Sequence, residues 1–503
     1  MNLIKSRNNQ VQEDRQKLRQ LGYIQELERS VGVFSNFAIS FSVISVLTGL
    51  IFLYGSGPGG NGEYELYTWF FVGIFQMFMV FSLAEISSCY PIAGGVYEWT
   101  NILGNTTIGW LNGCISLIGW LACTAGINFG LSQFFLQMNG IQTPSILQLM
   151  SVCSVIVMLQ TLICMMGIKT TTKINNISVG IHIIGVLTIF LLLIVFSGPN
   201  ITVESLVFTD VVDNMNISTI IPVLLMAAWT LTAFDASASV SEECINPTRT
   251  VAYGMILSVV VSIVFGGLLI FGLSQGHAVL GNAGSGVGIT SLNIISSIMG
   301  PTVSKFISMI IVMAMFTCGL AAQTVTVRII YAISRNNGLP FSQIWKSVDK
   351  HNAMPRYSIL LCGALEILLI ITALFSEGDI SLATISIKAL PKITSLSTVG
   401  LYLSYGIVLF CAIGRRKKIG ADRGTFFMNR IGYGVNFIAF AWSIAIAVTM
   451  LVYYNTGFKI VYAVFMLALG LYYWVHMKSK LKYRYEKLSE SELLEIENMR
   501  GID

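Results

Sequence analysis

The sequence predicts an all-α polytopic membrane protein with twelve transmembrane helices. Of 503 residues, 54% are hydrophobic and only 11% are charged, where soluble domains carry about 25% charged residues. Mean hydropathy is +0.73. Twelve apolar segments, at 33–54, 67–89, 107–136, 146–167, 176–197, 219–241, 252–273, 305–334, 357–375, 380–411, 432–453 and 458–476, are each long enough to cross a bilayer as a helix. They form one membrane domain over 31–476, between arms at 1–30 and 477–503.

In chain order, the arm at 1–30 is polar and mixed in charge, reads as mobile to about Leu21 and carries no cleavable signal. The first span is interrupted by Ser45, Thr48 and Gly49, and the sixth by Thr232, Asp235, Ala236 and Ser237. Such residues weaken a helix where lipid offers the backbone no substitute partner. Non-helical backbone at that depth survives only when buried in protein or lining a cavity, so the two weak points mark a binding site. The alternative is that small and hydroxyl residues simply pack helix against helix. Pro91 to Gly95 reads as a tight loop after the second span.

Charges inside spans are costly, so each is weighed. Asp235 either holds a cation beside the break or caps the following half-helix. Glu85, Glu242 and Glu243 lie near one membrane face and read as inner-gate pairs with Lys173, Arg249 or Arg328. His182 in the fifth span is a titratable coupling candidate or a structural hydrogen-bonder. Lys388 and Lys392 flank Pro391 in the tenth. They either enter a cavity as coupling groups or snorkel to the surface. Glu366 has no evident partner and is assigned no role. The tail, with LSESELLEIENM, has helical content and is expected along the membrane surface.

Lys and Arg crowd one set of loops, including the run Arg415 to Lys418, while the opposite loops carry Glu63, Glu65, Glu204, Asp210, Asp213, Glu377 and Asp379. That asymmetry places both termini in the cytoplasm. The net charge of +5 is explained by loops facing anionic lipid, without a nucleic-acid partner. The nine cysteines contain no CxxC pair, so neither a disulfide framework nor a metal site is read from them. No nucleophile–base set or HExxH speaks for an enzyme, no cofactor motif is present, and no filter-like loop speaks for a channel.

Five stretches resemble the amino acid–polyamine–organocation superfamily, in its amino acid/choline transporter branch with GABA permeases and bidirectional amino acid transporters. They are Leu21 to Gly49, Ala84 to Trp99, Ala233 to Glu243, Arg328 to Pro340, and Thr394 to Tyr405 continued by Asn429 to Ala447. The resemblance implies a five-plus-five inverted repeat with broken first and sixth helices. It implies a secondary transporter of amino acids, GABA among them, working by alternating access, with a choline or polyamine carrier or a non-transporting sensor as alternatives. It implies that the substrate carboxylate meets Ser45, Val46, Leu47, Thr48 and Gly49. The ammonium would meet carbonyls around Ala233, Phe234 and Asp235, followed by Ala236 and Ser237, with Phe234 as lid. Proton, sodium or counter-substrate would drive the cycle in the plasma membrane.

Overall fold

Lipid gives backbone N–H and C=O groups no partner, so a spanning chain satisfies them within helices. The computed structural model describes residues 2–55, 63–197, 217–280, 290–349, 354–375, 382–453 and 466–478. These residues form helices with a single isolated bridge, Val31 to Cys244. In order they are α1 (Asn2–Gln20), α2 (Val33–Val43), α3 (Val46–Leu53), α4 (Glu63–Cys89), α5 (Val96–Leu103), α6 (Thr106–Met138), α7 (Ile146–Met165) and α8 (Ile168–Ser197). There follow α9 (Ile217–Thr230), α10 (Ala236–Ser239), α11 (Pro247–Leu280), α12 (Thr290–Arg335) and α13 (Ser342–Trp345). The last are α14 (Arg356–Phe375), α15 (Leu382–Gly414), α16 (Arg416–Ala421), α17 (Gly432–Tyr453) and a closing helical stretch at 466–478.

Among the described residues ten helices are long and apolar enough to span a membrane, with the first broken span counted as one. The sixth expected span is split into α9 and α10, and the first part of the twelfth, 458–465, lies outside the described residues. One expectation changes. The arm expected to be mobile contains α1, whose Leu18 is buried and whose Asp14 accepts from the Asn246 N–H at 2.8 Å. The eighth span, expected from 305, follows a break: Thr290–Arg335 is two helical pieces that part at Gly300, whose φ of 73° and ψ of 170° are not helical, and the longer piece starts at Pro301, close to the expected position.

Local sequence explains the boundaries. Asn105 caps α6 through Ile108 N–H, and Ser145 with Gln148 makes a reciprocal capping box at α7. Ser145→Ala is expected to cost about 1 kcal/mol and to leave transport unchanged, as thermal unfolding in detergent beside an uptake assay would show. The tight loop predicted after the second span needs glycine: Gly94 has φ 95°, and a Cβ there would meet the Ala332 Cβ at 2.6 Å. That contact brings the loop against the end of α12.

The broken elements sit at the centre of the bundle. The first span is 100% buried over its most apolar window and α6 94%, against 28% for α7 and 33% for α8, so lipid faces the latter two. The α6 helix packs on α15 and α12, and α4 packs on α11. Between these layers lie α2, α3, α9 and α10.

Candidate functional site

Both breaks predicted from sequence are present. Helix α2 ends at Val43, Ile44 and Ser45 leave helical geometry, and α3 starts at Val46. In the sixth span the helix ends at Thr230 and resumes at Ala236, with Ala233 at φ 63°. That left-handed conformation is uncommon for a residue with a Cβ, and it turns the chain within a fully buried setting.

The two breaks face each other across a cavity of about 10 Å³ lined by Val43, Ser45, Thr48, Gly49, Cys123, Ile127, Trp229, Thr230, Ala233 and Cys318. That is room for about one water. Gly49 permits the approach, since a Cβ there would meet Thr230 Oγ1 at 2.2 Å. Thr48 and Gly49 N–H both return to the Ser45 carbonyl at 3.0 Å. The first amides of α3 are the groups a helix N-terminus offers to an anion.

A chain of hydrogen bonds runs behind the first break. His182 Nδ1 lies 2.8 Å from the Ser178 carbonyl, its Nε2 lies 2.6 Å from Ser45 Oγ, and Ser45 Oγ lies 2.7 Å from Thr48 Oγ1. A carbonyl only accepts, so Nδ1 carries the proton and the neutral ring accepts from the Ser45 hydroxyl through Nε2. Ser178 Oγ continues the chain to Thr317 Oγ1 at 2.6 Å. The first, fifth and eighth spans therefore meet at His182.

Not every predicted site residue reaches the cavity. Ser45, Thr48, Gly49 and Ala233 line it, while Val46, Leu47, Phe234, Asp235, Ala236 and Ser237 are buried without lining it. Phe234 sits 5.4 Å from the Tyr405 ring, and its carbonyl accepts from Ser40 Oγ at 2.7 Å. Asp235 makes no side-chain cap to α10, contrary to the capping alternative. It accepts from Tyr405 O–H at 2.6 Å instead. Ser237 bonds to Ser40 Oγ at 2.7 Å and to the Asn36 carbonyl at 3.2 Å. Lys392 is half-buried and engaged, and the Lys388 side chain lies outside the described residues. Sequence reasoning missed Val43, Cys123, Ile127, Trp229, Thr230 and Cys318, which carry no signal beyond that of a membrane helix.

At one end of the bundle, three buried carboxylates meet arginines. Glu243 takes two bonds from Arg328, at 2.8 and 3.3 Å, both side chains being 1% exposed. Glu242 takes Arg335 Nη1 on both oxygens at 3.0 Å, and Glu85 is held by Arg416. Arg328 was an expected partner. Arg335 and Arg416 replace the expected Lys173 and Arg249, because helix ends brought together by the fold offer planar guanidinium forks that suit a carboxylate. Segment 21–31 closes over this layer. Tyr23 O–H donates to Glu98 Oε2 at 2.7 Å, and burial, with Glu98 beside it, pushes that phenol well above its usual pKa. Arg29 donates to the Cys244 carbonyl at 2.6 Å.

Glu366, given no role from sequence, accepts from Asn128 Nδ2 at 3.2 Å and from the Cys362 thiol at 3.2 Å. All nine cysteines are free and buried. Among the described residues no cluster of three His, Cys, Asp or Glu could hold a metal.

Residues 31–476 match the amino acid permease family. The chain is 29% identical over 461 residues to amino-acid permease BAT1 of Arabidopsis thaliana, covering 86% of this chain and 87% of that protein. It is 25% identical over 490 residues to amino-acid permease 2 of Neurospora crassa, with 91% and 86% covered. To the GABA-specific permease of Saccharomyces cerevisiae it is 24% identical over 367 residues, with 69% and 64% covered. The family and these relatives are permeases, not enzymes. The match extends over almost the whole helical bundle, both breaks included, and the chain belongs to the amino acid permease family.

Proposed function

We propose that this permease is a secondary transporter that moves an amino acid by alternating access around the cavity between its two broken helices. The observation that carries this reading is the pair of helix breaks, at 44–45 and at 231–235, that meet at one buried cavity. The substrate carboxylate docks on the α3 amides beside Ser45, Thr48 and Gly49, where the helix dipole favours negative charge. The ammonium takes free lone pairs of carbonyls near Ala233, with Phe234 and Asp235 forming the second layer. The full design has twelve spans over 31–476, a five-plus-five inverted repeat, and arms at 1–30 and 477–503 on the cytoplasmic side of the plasma membrane, the side of the Arg-rich loops. The buried carboxylate–arginine layer is then the closed inner gate, and the small cavity is an occluded stage of the cycle.

His182 couples the cycle to protons in this scheme. A protonated ring donates from both nitrogens, so Ser45 no longer gives its proton to Nε2 and turns its hydroxyl to the carboxylate. His182→Gln keeps a polar side chain that does not titrate. Uptake should persist with its response to an imposed pH gradient abolished, and an unchanged response would return His182 to a structural role. Sodium, counter-substrate, Lys388 and Lys392 remain competing sources of coupling.

The test is uptake by purified protein in liposomes, using labelled neutral, acidic and basic amino acids, GABA, choline and putrescine. Gradients of protons, sodium and internal substrate would be imposed in turn. Saturable uptake of an amino acid supports the reading. Uptake of choline or putrescine alone would favour the organic-cation alternative, and binding without uptake would make the protein a sensor.

A further inference from the structure

Trp229, in the last turn of α9, lines the central cavity and is 5% exposed. Its indole N–H is buried with no acceptor among the described residues. A buried donor left unpaired is disfavoured, and binding sites retain such donors because the ligand supplies the acceptor. The rest of the wall holds no charged side chain: Cys123, Ile127 and Cys318 stand around the ring with Thr230 and Ala233. Asp235, in the same broken span, accepts from Tyr405 O–H and not from the indole. Gly126 packs against the ring, and a Cβ there would make ordinary contacts, 3.6 Å to Trp229 Cζ2 and 3.4 Å to Ile393 Cγ2.

We infer that Trp229 Nε1–H selects the substrate's side chain, and that the permease favours neutral amino acids whose side chain presents a hydrogen-bond acceptor. This rests on the amino acid reading of the cavity given above. The wall offers one unpaired donor, the indole N–H, beside apolar surface and the hydroxyls of Ser45, Thr48 and Thr230, which already have partners, so it has no counter-charge for a lysine, arginine, aspartate or glutamate side chain. It discriminates best between isosteres that differ only in the acceptor, because the analogue lacking it leaves the indole N–H unpaired.

Threonine and valine are such a pair. In liposomes the wild-type protein should take up threonine with a kcat/KM about tenfold above valine, and Trp229→Phe, which keeps an aromatic ring without the N–H, should bring the two within about twofold by lowering threonine alone. Asparagine against leucine gives a second pair. Equal loss for threonine and valine in Trp229→Phe would overturn the inference, since Trp229 would then serve the carboxylate or packing common to both. A preference for charged over neutral amino acids in the wild type would also overturn it while leaving the amino acid reading intact. No amino acid uptake by the wild type under any gradient would defeat the underlying reading itself. Trp229→His, which retains a ring N–H, should restore part of the threonine preference.

Discussion

Gly49→Val is expected to reduce uptake at least a hundredfold while the protein still inserts and folds. The side chain at position 49 has no place to go: its Cβ would lie 2.2 Å from Thr230 Oγ1 and 2.9 Å from both Thr230 Cβ and Cγ2. Thr230 cannot swing clear easily, because its hydroxyl donates to the Met226 carbonyl at 2.7 Å within α9. Overpacking a buried contact costs about 1–3 kcal/mol, which a bundle of this size survives, but relief requires the first and sixth spans to part where the cavity lies. Substrate would then meet displaced α3 amides, and misplacement by about 1 Å costs on the order of a hundredfold where geometry decides function. The measurement is uptake normalised to the folded fraction in proteoliposomes. Thr230→Gly in the same chain removes the clashing atoms and should recover part of the activity of Gly49→Ala. Normal uptake by Gly49→Val would mean the substrate passes elsewhere.

The two breaks were legible because their residues are wrong for a membrane helix: Ser45, Thr48 and Gly49 in one, Thr232 to Ser237 in the other. The opposite walls were not. Cys123 and Ile127 on α6 and Cys318 on α12 face the cavity with side chains that equally suit packing, and no periodicity distinguishes a cavity wall from a helix interface. His182 stood out as a buried titratable residue, yet its bond to Ser45 joins positions 137 apart and depends on how the fifth span meets the first. The same limit applies to the carboxylates. Glu85, Glu242 and Glu243 were recognised as a group, but Glu85 pairs with Arg416 across 331 positions. Counting basic residues in loops identifies candidate partners and cannot choose among them. Asp235 shows the converse error, since a residue type typical of caps instead accepts from Tyr405 on α15.

The inner layer supplies the second large effect. Arg328→Ala should destabilise the protein by about 3–5 kcal/mol, because it strands the Glu243 carboxylate in a site where both partners are 1% exposed. Arg328 also reaches the Thr324 carbonyl at 3.4 Å and Met354 Sδ at 3.5 Å, so its loss opens space besides removing charge. Thermal unfolding in detergent should show a clear fall in the melting temperature, with much of the protein lost during purification. Replacing both members, Arg328→Met with Glu243→Leu, removes the stranded charge, and exchanges of that kind are neutral or stabilising by about 1–4 kcal/mol. The double variant should therefore regain folded yield. Under the proposed gate role it should not regain normal transport, because contacts that open in each cycle must be ones water can replace, and a charged pair separated into water recovers its hydration whereas an apolar pair resists opening. Uptake by the double variant is expected at least tenfold below wild type with a wild-type melting temperature. Recovery of both properties together would make the pair a structural tie, and the moving contacts would then be those of Arg335 with Glu242 and of Tyr23 with Glu98.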